Sequence, residues 1–375
     1  MDIVGSLNLD KYSPKLDGCT KSETNLTVNI HFRQTVTLSN AVMPRRDARR
    51  LSPPAILGVL AAILLVSMLA SLTLGYRIYG LDQVWMALFV PDNSESATII
   101  AGLRLPRALI APLTGAALGL AGTIVQTLAR NRIASPDTLG LNGGAALAVV
   151  LASIAFDVQS LSGLSAAAAL GALVTSLVVF GVAASAGGLS PLKIVLVGVT
   201  FASLSHAIVE VFLTSNEAQL QQLLFWLSGA FVDRPMSQVL AGLPFVALGA
   251  VLALGLARPL DALQADDSTA QSLGVPLSLV RGIAFLAVAL LTGAAVSMAG
   301  PVAFVGLVVP HAARHLVGLR HAWQLPAAAL CGAVYATLAD IAARFVIYPV
   351  EAPVGAITAI VGAFVLLLLL RRRAA

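Results

Sequence analysis

Residues 104–128 read RLPRALIAPLTGAALGLAGTIVQTL, and this stretch sets the class of the protein. Its first four residues include Arg104 and Arg107, which stand three apart and therefore share one helical face. Pro106 suits the first turn of a helix, where its missing N–H costs nothing. After Arg107 the chain carries no charge over about 20 positions, the length that crosses the hydrocarbon layer of a bilayer. The stretch therefore predicts a membrane-spanning helix with an arginine pair at its entrance.

Three features of this helix carry further information. Gly115 and Gly119 form the small-xxx-small spacing that lets two membrane helices approach closely. Gln126 is polar near the other end of the span, so it faces protein or a water-filled path, as a structural hydrogen bond or as a lining residue. The two arginines either bind carboxylates through the forked guanidinium geometry or simply extend to the membrane interface. The sequence alone leaves both pairs of alternatives open.

The composition of the chain agrees with a membrane as its solvent. Of the 375 residues 58% are hydrophobic and 11% are charged, and the mean hydropathy is +0.89. Soluble domains carry about a quarter charged residues. The net charge of +5 is explained by topology, since cytoplasmic loops collect lysine and arginine, and we expect no nucleic-acid partner. Cys19 and Cys331 indicate neither a disulfide framework nor a metal cluster.

Ten apolar stretches after residue 54 are long enough to cross a bilayer. The sequence thus predicts an all-α polytopic membrane protein with about ten transmembrane helices. A short amphipathic piece near 220–231 is expected between the fifth and the sixth span. The predicted spans are 55–75, 106–128, 139–156, 164–185, 192–213, 236–257, 278–299, 302–318, 326–346 and 353–370.

The distribution of basic residues predicts the orientation. With ten spans both termini lie on one side, and placing them in the cytoplasm puts most of the 23 lysines and arginines there. The positive-inside rule favours this arrangement. The basic residues left outside are Arg77, Arg104, Arg107, Arg234 and Arg344.

Residues 1–54 differ from everything after them. They are rich in Thr, Asn, Ser and charge and lack an apolar run for a span or a signal peptide. We expect a disordered cytoplasmic extension. Met43 opens a segment typical of a bacterial N-terminus before a first span, so residues 1–42 are a candidate for a misassigned start. An intact mass that begins well before Met43 would exclude that expectation.

The loop 258–276 is long, internal and organised. Asp266 or Asp267 can begin a short helix, and Gly274 followed by Pro276 ends one in the usual order. A structured loop between spans indicates a docking surface, and a solvated connector is the alternative.

Four segments together resemble the FecCD-type permeases of the importers for ferric siderophores, haem and vitamin B12. The resemblance covers about residues 55–373, which form the expected permease domain. It implies a type II ABC importer permease fold in the bacterial inner membrane. The segments are the run from Arg104 to Gly144, the loop end from Ala270 to Val275, the stretch from Gly300 to Arg314, and the segment from Ala339 through Gly362.

The resemblance also implies partners. These are a second permease subunit, identical or paralogous, two cytoplasmic ATPase subunits that carry ATP and Mg, and an extracytoplasmic substrate-binding protein. Family members receive acidic residues of the binding protein on external arginines. On this chain the matching positions are Arg104, Arg107 and Arg344.

On the inner side the resemblance assigns a gate, a path and a coupling loop. Asn131 and Ile133 match the cytoplasmic gate, and Gln126 and Asn142 are assigned to the translocation path. The coupling loop would fit into a groove of the ATPase and convert its closure into helix movement. Its assigned residues are Asp261, Asp266, Asp267, Ala270, Leu273 and Gly274.

Three positions depart from the family pattern. Asn131 is followed by Arg132 and Ile133 where Asn-Pro-Leu is usual, so a charge lies beside the proposed gate. Asp266 replaces a glycine that commonly starts the coupling helix, and Phe364 replaces a proline. The first two departures bear on gating and coupling.

The sequence excludes an ATPase. It contains no G-x-x-x-x-G-K-[ST] loop, and Lys193 is the only lysine after residue 21. Nor does it hold an evident constellation for an intramembrane hydrolase. We therefore expect a subunit that is not an enzyme and holds no cofactor. His311 and His315 stand four apart, but no carboxylate or cysteine sits beside them, so no metal site is predicted.

The main alternative function is an ion-coupled secondary transporter. Such proteins place ionisable residues at mid-membrane depth. The candidates are His206, Glu210 and Asp340, although Asp340 can instead pair with Arg344 four residues later. Within the resemblance, residues 131–139 and 300–304 favour a ferric siderophore as the substrate over vitamin B12 or haem.

Overall fold

The computed structural model describes residues 51–90, 94–185, 190–215, 223–224, 226–347 and 350–374. These residues form fourteen α-helices, and one π-helical turn at Ile100–Arg104 joins the third helix to the fourth. The helices are α1 Pro53–Thr73, α2 Leu81–Phe89, α3 Glu95–Ile99, α4 Leu105–Leu128, α5 Leu141–Ala155, α6 Leu161–Ser185, α7 Pro191–Ser215, α8 Met236–Gly255, α9 Ala257–Leu263, α10 Asp267–Ser272, α11 Leu277–Ala299, α12 Val305–Val317, α13 His321–Ala343 and α14 Val354–Ala374.

Each of the ten predicted spans coincides with a helix. Seven helical segments are long and apolar enough to cross a membrane, with α3 and α4 counted as one segment, Glu95–Leu128. The other three predicted spans coincide with α5, α12 and α14, of which α5 and residues 354–368 of α14 are shorter apolar helices. The short helices α2 and α3 were not predicted. The predicted extension of residues 1–54 lies largely outside the described residues, whereas in the piece near 220–231 the described residues 223–224 and 226–227 are helical.

The bundle is built around α4. Of its most apolar 18-residue window 83% is buried, against 17% for α1 and 22% for α7. Gly115 explains how α4 packs so closely on α13, because a Cβ there would overlap the carbonyl of Gly332. A Cβ at Gly119 would likewise meet the carbonyl of Ala328. The predicted small-residue contact is therefore confirmed, with α13 as the neighbouring helix.

Residues 129–140, between α4 and α5, and residues 300–304, between α11 and α12, are not helical and lie against the membrane helices. Gly306, the second residue of α12, packs against Gly122 of α4, six residues before α4 ends, and against the ring of Pro136. Phe304 has φ of 67° and packs against Gly362 in the middle of α14. Irregular backbone is tolerated at membrane depth only where it is buried in protein or lines a water-filled cavity. The parts of these segments at that depth are therefore buried in protein or line a cavity. Below, the predicted external end of the bundle is called outer and the opposite end inner.

Candidate functional site

Arg104 lies at the outer end and is tied to the end of α1. Its Nη1 donates to the carbonyls of Leu72 and Thr73, both at 2.9 Å, and Nη2 donates to the carbonyl of Arg77 at 2.6 Å. The guanidinium carbon stands 4.6 Å from the centre of the Tyr79 ring, a cation–π contact. Only 8% of Arg104 is exposed. Its visible function in the structure is to cap a helix.

Arg107 is held by two carboxylates from distant parts of the chain. Its Nε donates to both oxygens of Asp340 at 2.8 and 3.0 Å, while Nη1 donates to both oxygens of Glu351 at 3.1 and 2.8 Å. Arg344 also pairs with Asp340, which confirms the predicted spacing of four residues. The Asp340 side chain is fully buried, whereas that of Glu351 is 38% exposed. We call Arg107, Asp340, Arg344 and Glu351 the outer cluster.

The outer arginines differ from what the family resemblance implies in one respect. Arg107 is 9% exposed and Arg344 5% exposed, and each is already paired within the chain. In the chain by itself each of these guanidinium groups therefore already has a partner, and the docking function stays a prediction. Sequence reasoning missed Glu351 as a partner, because 244 residues separate it from Arg107. The available signal was that Glu351 carries a carboxylate at the predicted outer end, where several arginines also lie.

The gate residues Asn131 and Ile133 lie in the inner turn after α4. Oδ1 of Asn131 accepts the backbone N–H of Ile133 at 3.0 Å, and the backbone of Asn131 bonds to the carbonyl of Gln126 at 3.2 Å. Asn131 thus shapes the turn and aims Ile133 outward. Ile133 is 66% exposed and Arg132 is exposed beside it. The gate function of Asn131 and Ile133 stays a prediction.

A cavity of about 250 Å³ adjoins this turn and contains the predicted path residue Asn142. Ile133, Asp137 and Phe304 line the same cavity. Asp137 interacts with Asn142 and with His206 of α7. Oδ1 of Asn142 is buried without a hydrogen-bond partner among the described residues. Polar groups at this depth agree with a wet path.

Gln126 is a structural hydrogen-bonding residue in this conformation. Its Nε2 donates to the carbonyl of Leu307 at 3.1 Å, and its Oε1 accepts from Nη2 of Arg314 at 2.6 Å. The side chain is buried and ties α4 to α12. It also lines a second cavity at the inner end, and its place in the translocation path stays a prediction.

The coupling loop forms two short helices, as predicted, α9 and α10. Asp266 caps α10 by accepting the backbone N–H of Thr269, and this bond is the main reason that the pKa of Asp266 lies below its usual value. Gly274 ends the helix with φ of 77°. Ala270 is fully buried, whereas Leu273 is 69% exposed. The aspartate that replaces the usual glycine is therefore a helix cap, and Leu273 faces a potential partner.

Asp267 joins the coupling loop to two membrane helices. Its Oδ1 accepts from Arg130 at the end of α4 at 2.5 Å and from Arg281 of α11 at 2.7 Å. Burial tends to raise the pKa of Asp267, but the bonds and charges of Arg281 and Arg130 outweigh it, so the pKa is lowered. The carboxylate therefore stays ionised at neutral pH and keeps both arginines.

Asp261 makes a second connection, through the fully buried His321. Its Oδ1 accepts both the backbone N–H of His321 at 2.9 Å and Nδ1–H at 2.8 Å. Nε2 of His321 lies 2.8 Å from Oγ1 of Thr127 near the end of α4. One connection thus ends at Thr127 in the last turn of α4 and the other at Arg130, two residues after the helix, next to the predicted gate residues. Sequence reasoning named Asp261 but missed His321, Thr127 and Arg130.

Comparison with known proteins agrees with this geometry. The model of the FecCD transport family matches residues 63–372. The ferric enterobactin transport system permease FepD of Escherichia coli is 38% identical over 84% of this chain and 94% of its own. The vitamin B12 import system permease BtuC of Vibrio cholerae is 36% identical over 83% of this chain and 94% of its own.

Two further matches point the same way. The Fe(3+)-citrate import system permease YfmD of Bacillus subtilis is 35% identical over 86% of this chain and 97% of its own. A solved structure described as an inward-facing metal-chelate type ABC transporter superposes with a TM-score of 0.76 at 30% identity. That match covers 85% of this chain and 99% of the other. With seven helical segments long and apolar enough to cross a membrane and this match along nearly all of the described residues, the chain is a multi-pass membrane protein that belongs to the FecCD transport family.

Proposed function

We propose that this chain is the permease subunit of an ATP-driven importer that carries a ferric siderophore into the cytoplasm. The observation that carries the proposal is the full-length match to permeases for ferric enterobactin and Fe(3+)-citrate. Vitamin B12 is the second candidate substrate, because a vitamin B12 permease is matched at similar identity and coverage.

The proposed path runs along the two irregular segments. Asn142 and Asp137 offer it polar groups, and Asn131 holds Ile133 at its inner mouth. A second permease subunit would place a matching Ile133 opposite the first and so close a gate on the common axis. The charge of Arg132 would then lie beside the closed gate, facing the cytoplasm.

In the proposed mechanism, the movement of the ATPase is transmitted to the permease at the coupling loop. The exposed Leu273 and the cap residue Asp266 would meet a groove of a separate ATPase subunit, which binds ATP and Mg. Movement of α9 and α10 would pass through Asp267 to Arg130, and through Asp261 and His321 to Thr127. The end of α4 would then shift the turn that holds Ile133. Two ATPase subunits would serve two permease subunits in the inner membrane, with both termini in the cytoplasm.

The proposed outer partner is a substrate-binding protein that docks on the side of the outer cluster. Nη1 of Arg107 is the part of the cluster that reaches the half-exposed Glu351. An acidic residue of the binding protein would take the place of Glu351 there, in the forked geometry that arginine offers. Arg104 and Arg344 would position this surface by fixing the end of α1.

The decisive experiment measures uptake of radiolabelled iron as ferric siderophore. Cells would express the chain with the ATPase and binding protein encoded beside it, at equal membrane amounts of each variant. We expect uptake by the unaltered chain and its loss in Leu273→Glu. Leu319→Glu is the matched control, because Leu319 is also exposed at the inner side but lies outside the coupling loop. Uptake of labelled cobalamin without uptake of iron would select the second substrate, and uptake of neither would contradict the proposal.

A further inference from the structure

A small cavity at the outer end has no part in the path or in the outer cluster. It measures about 180 Å³, and its lining includes Leu161, Leu164, Trp226, Asp233 and Arg234. Leu161 is the first residue of α6, and Arg234 precedes the start of α8 by two residues. The cavity therefore lies where two membrane helices begin, which in a bilayer is the level of the lipid headgroups.

Two buried hydrogen-bond donors line this cavity without an acceptor. Arg234 is 5% exposed, and while its Nε donates to the carbonyl of Ala230 at 3.4 Å, its Nη1 has no partner among the described residues. Trp226 is 3% exposed, and its indole Nε1–H has no hydrogen-bond acceptor among the described residues. Buried donors are nearly always paired, since an unmade bond costs the full desolvation of the group. Two such donors at one cavity indicate a missing acceptor.

The electrostatics of the cavity favour an anion. Burial lowers the pKa of Arg234 to about 10, against the opposing charge of Asp233, so the guanidinium stays charged at neutral pH. The described residues place no carboxylate within ion-pair distance of Arg234. The N-termini of α6 and α8 add the partial positive charge of their unpaired backbone N–H groups.

We propose that this cavity binds the phosphate group of an anionic ligand, with Nη1 of Arg234 and Nε1–H of Trp226 as its donors. The volume is several times the roughly 30 Å³ share of one liquid water molecule, which leaves room for a phosphate and the first carbons of an ester. Leu161 and Leu164 supply an apolar wall for those carbons. Free phosphate and the headgroup of a phospholipid share this chemistry.

Thermal unfolding of the purified full chain in maltoside detergent tests the site. Inorganic phosphate would be titrated against chloride at constant ionic strength, and the probe in a second arm would be phosphatidylglycerol added to the micelles. We expect stabilisation by several degrees, because a ligand that binds only the folded state raises its stability. Arg234→Gln should abolish the effect. Trp226→Phe keeps the ring and removes one donor, so the ligand concentration for half effect should rise about fivefold.

The matched control is Arg77→Gln, which removes an exposed outer arginine and should respond like the unaltered chain. A response to inorganic phosphate assigns the site to the free ion. A response to phosphatidylglycerol alone assigns it to a lipid headgroup, and native mass spectrometry should then find the lipid retained by the chain and lost in Arg234→Gln. Equal shifts in all variants would mean an adventitious ion only, and no shift with either probe would equally overturn the site. If Arg234→Gln does not fold, the site is tested by Trp226→Phe, in which the ligand concentration for half effect should rise about fivefold.

Discussion

Arg104 and Arg344 together close the outer end of α1. Between them they donate to the carbonyl oxygens of four consecutive residues, 71 to 74. An α-helix leaves its last carbonyls without an intrahelical partner, and in a membrane protein those groups need a substitute for water. Arginine is suited to this task, because its fork presents several donors in fixed directions. The two side chains therefore stabilise a helix that is otherwise little buried.

Removing Arg344 should lower the free energy of unfolding of the chain. Arg344→Gln takes away the bonds to α1 and leaves the buried Asp340 with one cation fewer, a change of the kind that costs about 3–5 kcal/mol. Arg77→Gln breaks the exposed pair with Glu95 and should cost less than about 1 kcal/mol. Thermal unfolding in detergent would show this difference. Equal unfolding temperatures for the two variants would contradict the capping argument.

The exposed member of the outer cluster predicts a change in docking. In Glu351→Gln the guanidinium of Arg107 no longer has to exchange one carboxylate for another, so a docking carboxylate meets less competition. We expect the affinity for the binding protein in nanodiscs to rise about fivefold, the equivalent of one half-exposed ion pair. Glu95→Gln, another exposed carboxylate at the outer end, is the control. Weaker binding would show that Glu351 itself belongs to the docking surface.

Among the helices, α4 joins the two ends of the molecule. Its first turn carries Arg107, and its middle packs on α13 through glycines. Its inner end receives both connections from the coupling loop, at Thr127 in the last turn and at Arg130 just after it. Tight backbone packing makes the helix a stiff body, since close-packed interiors transmit displacement instead of absorbing it. A shift at the inner end of α4 therefore displaces the whole helix.

The glycine contact can be tested at two matched positions. Gly115→Val would force a side chain into the backbone of Gly332, and overpacking of this kind costs about 1–3 kcal/mol or more. Gly58→Val on α1 meets no atom within 4 Å and should be tolerated. Size-exclusion profiles of fluorescent fusions would measure the folded fraction of each variant. Equal profiles would mean that α4 and α13 can separate freely.

The two links beneath α4 predict a loss of coupling in the assembled transporter. Arg130→Gln with Thr127→Val removes the attachment of α4 to Asp267 and to His321. ATP hydrolysis should continue while transport per ATP falls by about tenfold, the effect of roughly 1.4 kcal/mol of lost coupling free energy. Arg320→Gln, an exposed arginine at the inner end outside both this turn and the coupling loop, is the control. Parallel loss of hydrolysis and transport would place these residues in ATPase binding instead.

Sequence patterns predicted the membrane helices well, because apolar length is a local property. All ten spans were found, and so were the capped helix of the coupling loop and the pairing of Asp340 with Arg344. Partners far apart in sequence were missed, as in the bonds between Arg107 and Glu351 and between His321 and Asp261. The eighth span was predicted from residue 302, whereas its helix begins at Val305, because apolar length does not distinguish a helical segment from a non-helical one. Docking, gating and coupling functions stay predictions.

The capping of α1 has a consequence for how the chain is made. Ribosomes deliver α1 to the membrane first, yet one of the arginines that seal its end, Arg344, is synthesised 270 residues after Leu74. During that interval Arg104 is already available to the carbonyls of Leu72 and Thr73, whereas the carbonyls of Ser71 and Leu74 lack their arginine partner. Assembly is therefore completed from the last helices back to the first. A chain that stops before residue 344 leaves the carbonyls of Ser71 and Leu74 without this arginine. We expect that end of α1 to be recognised by the quality-control machinery of the membrane.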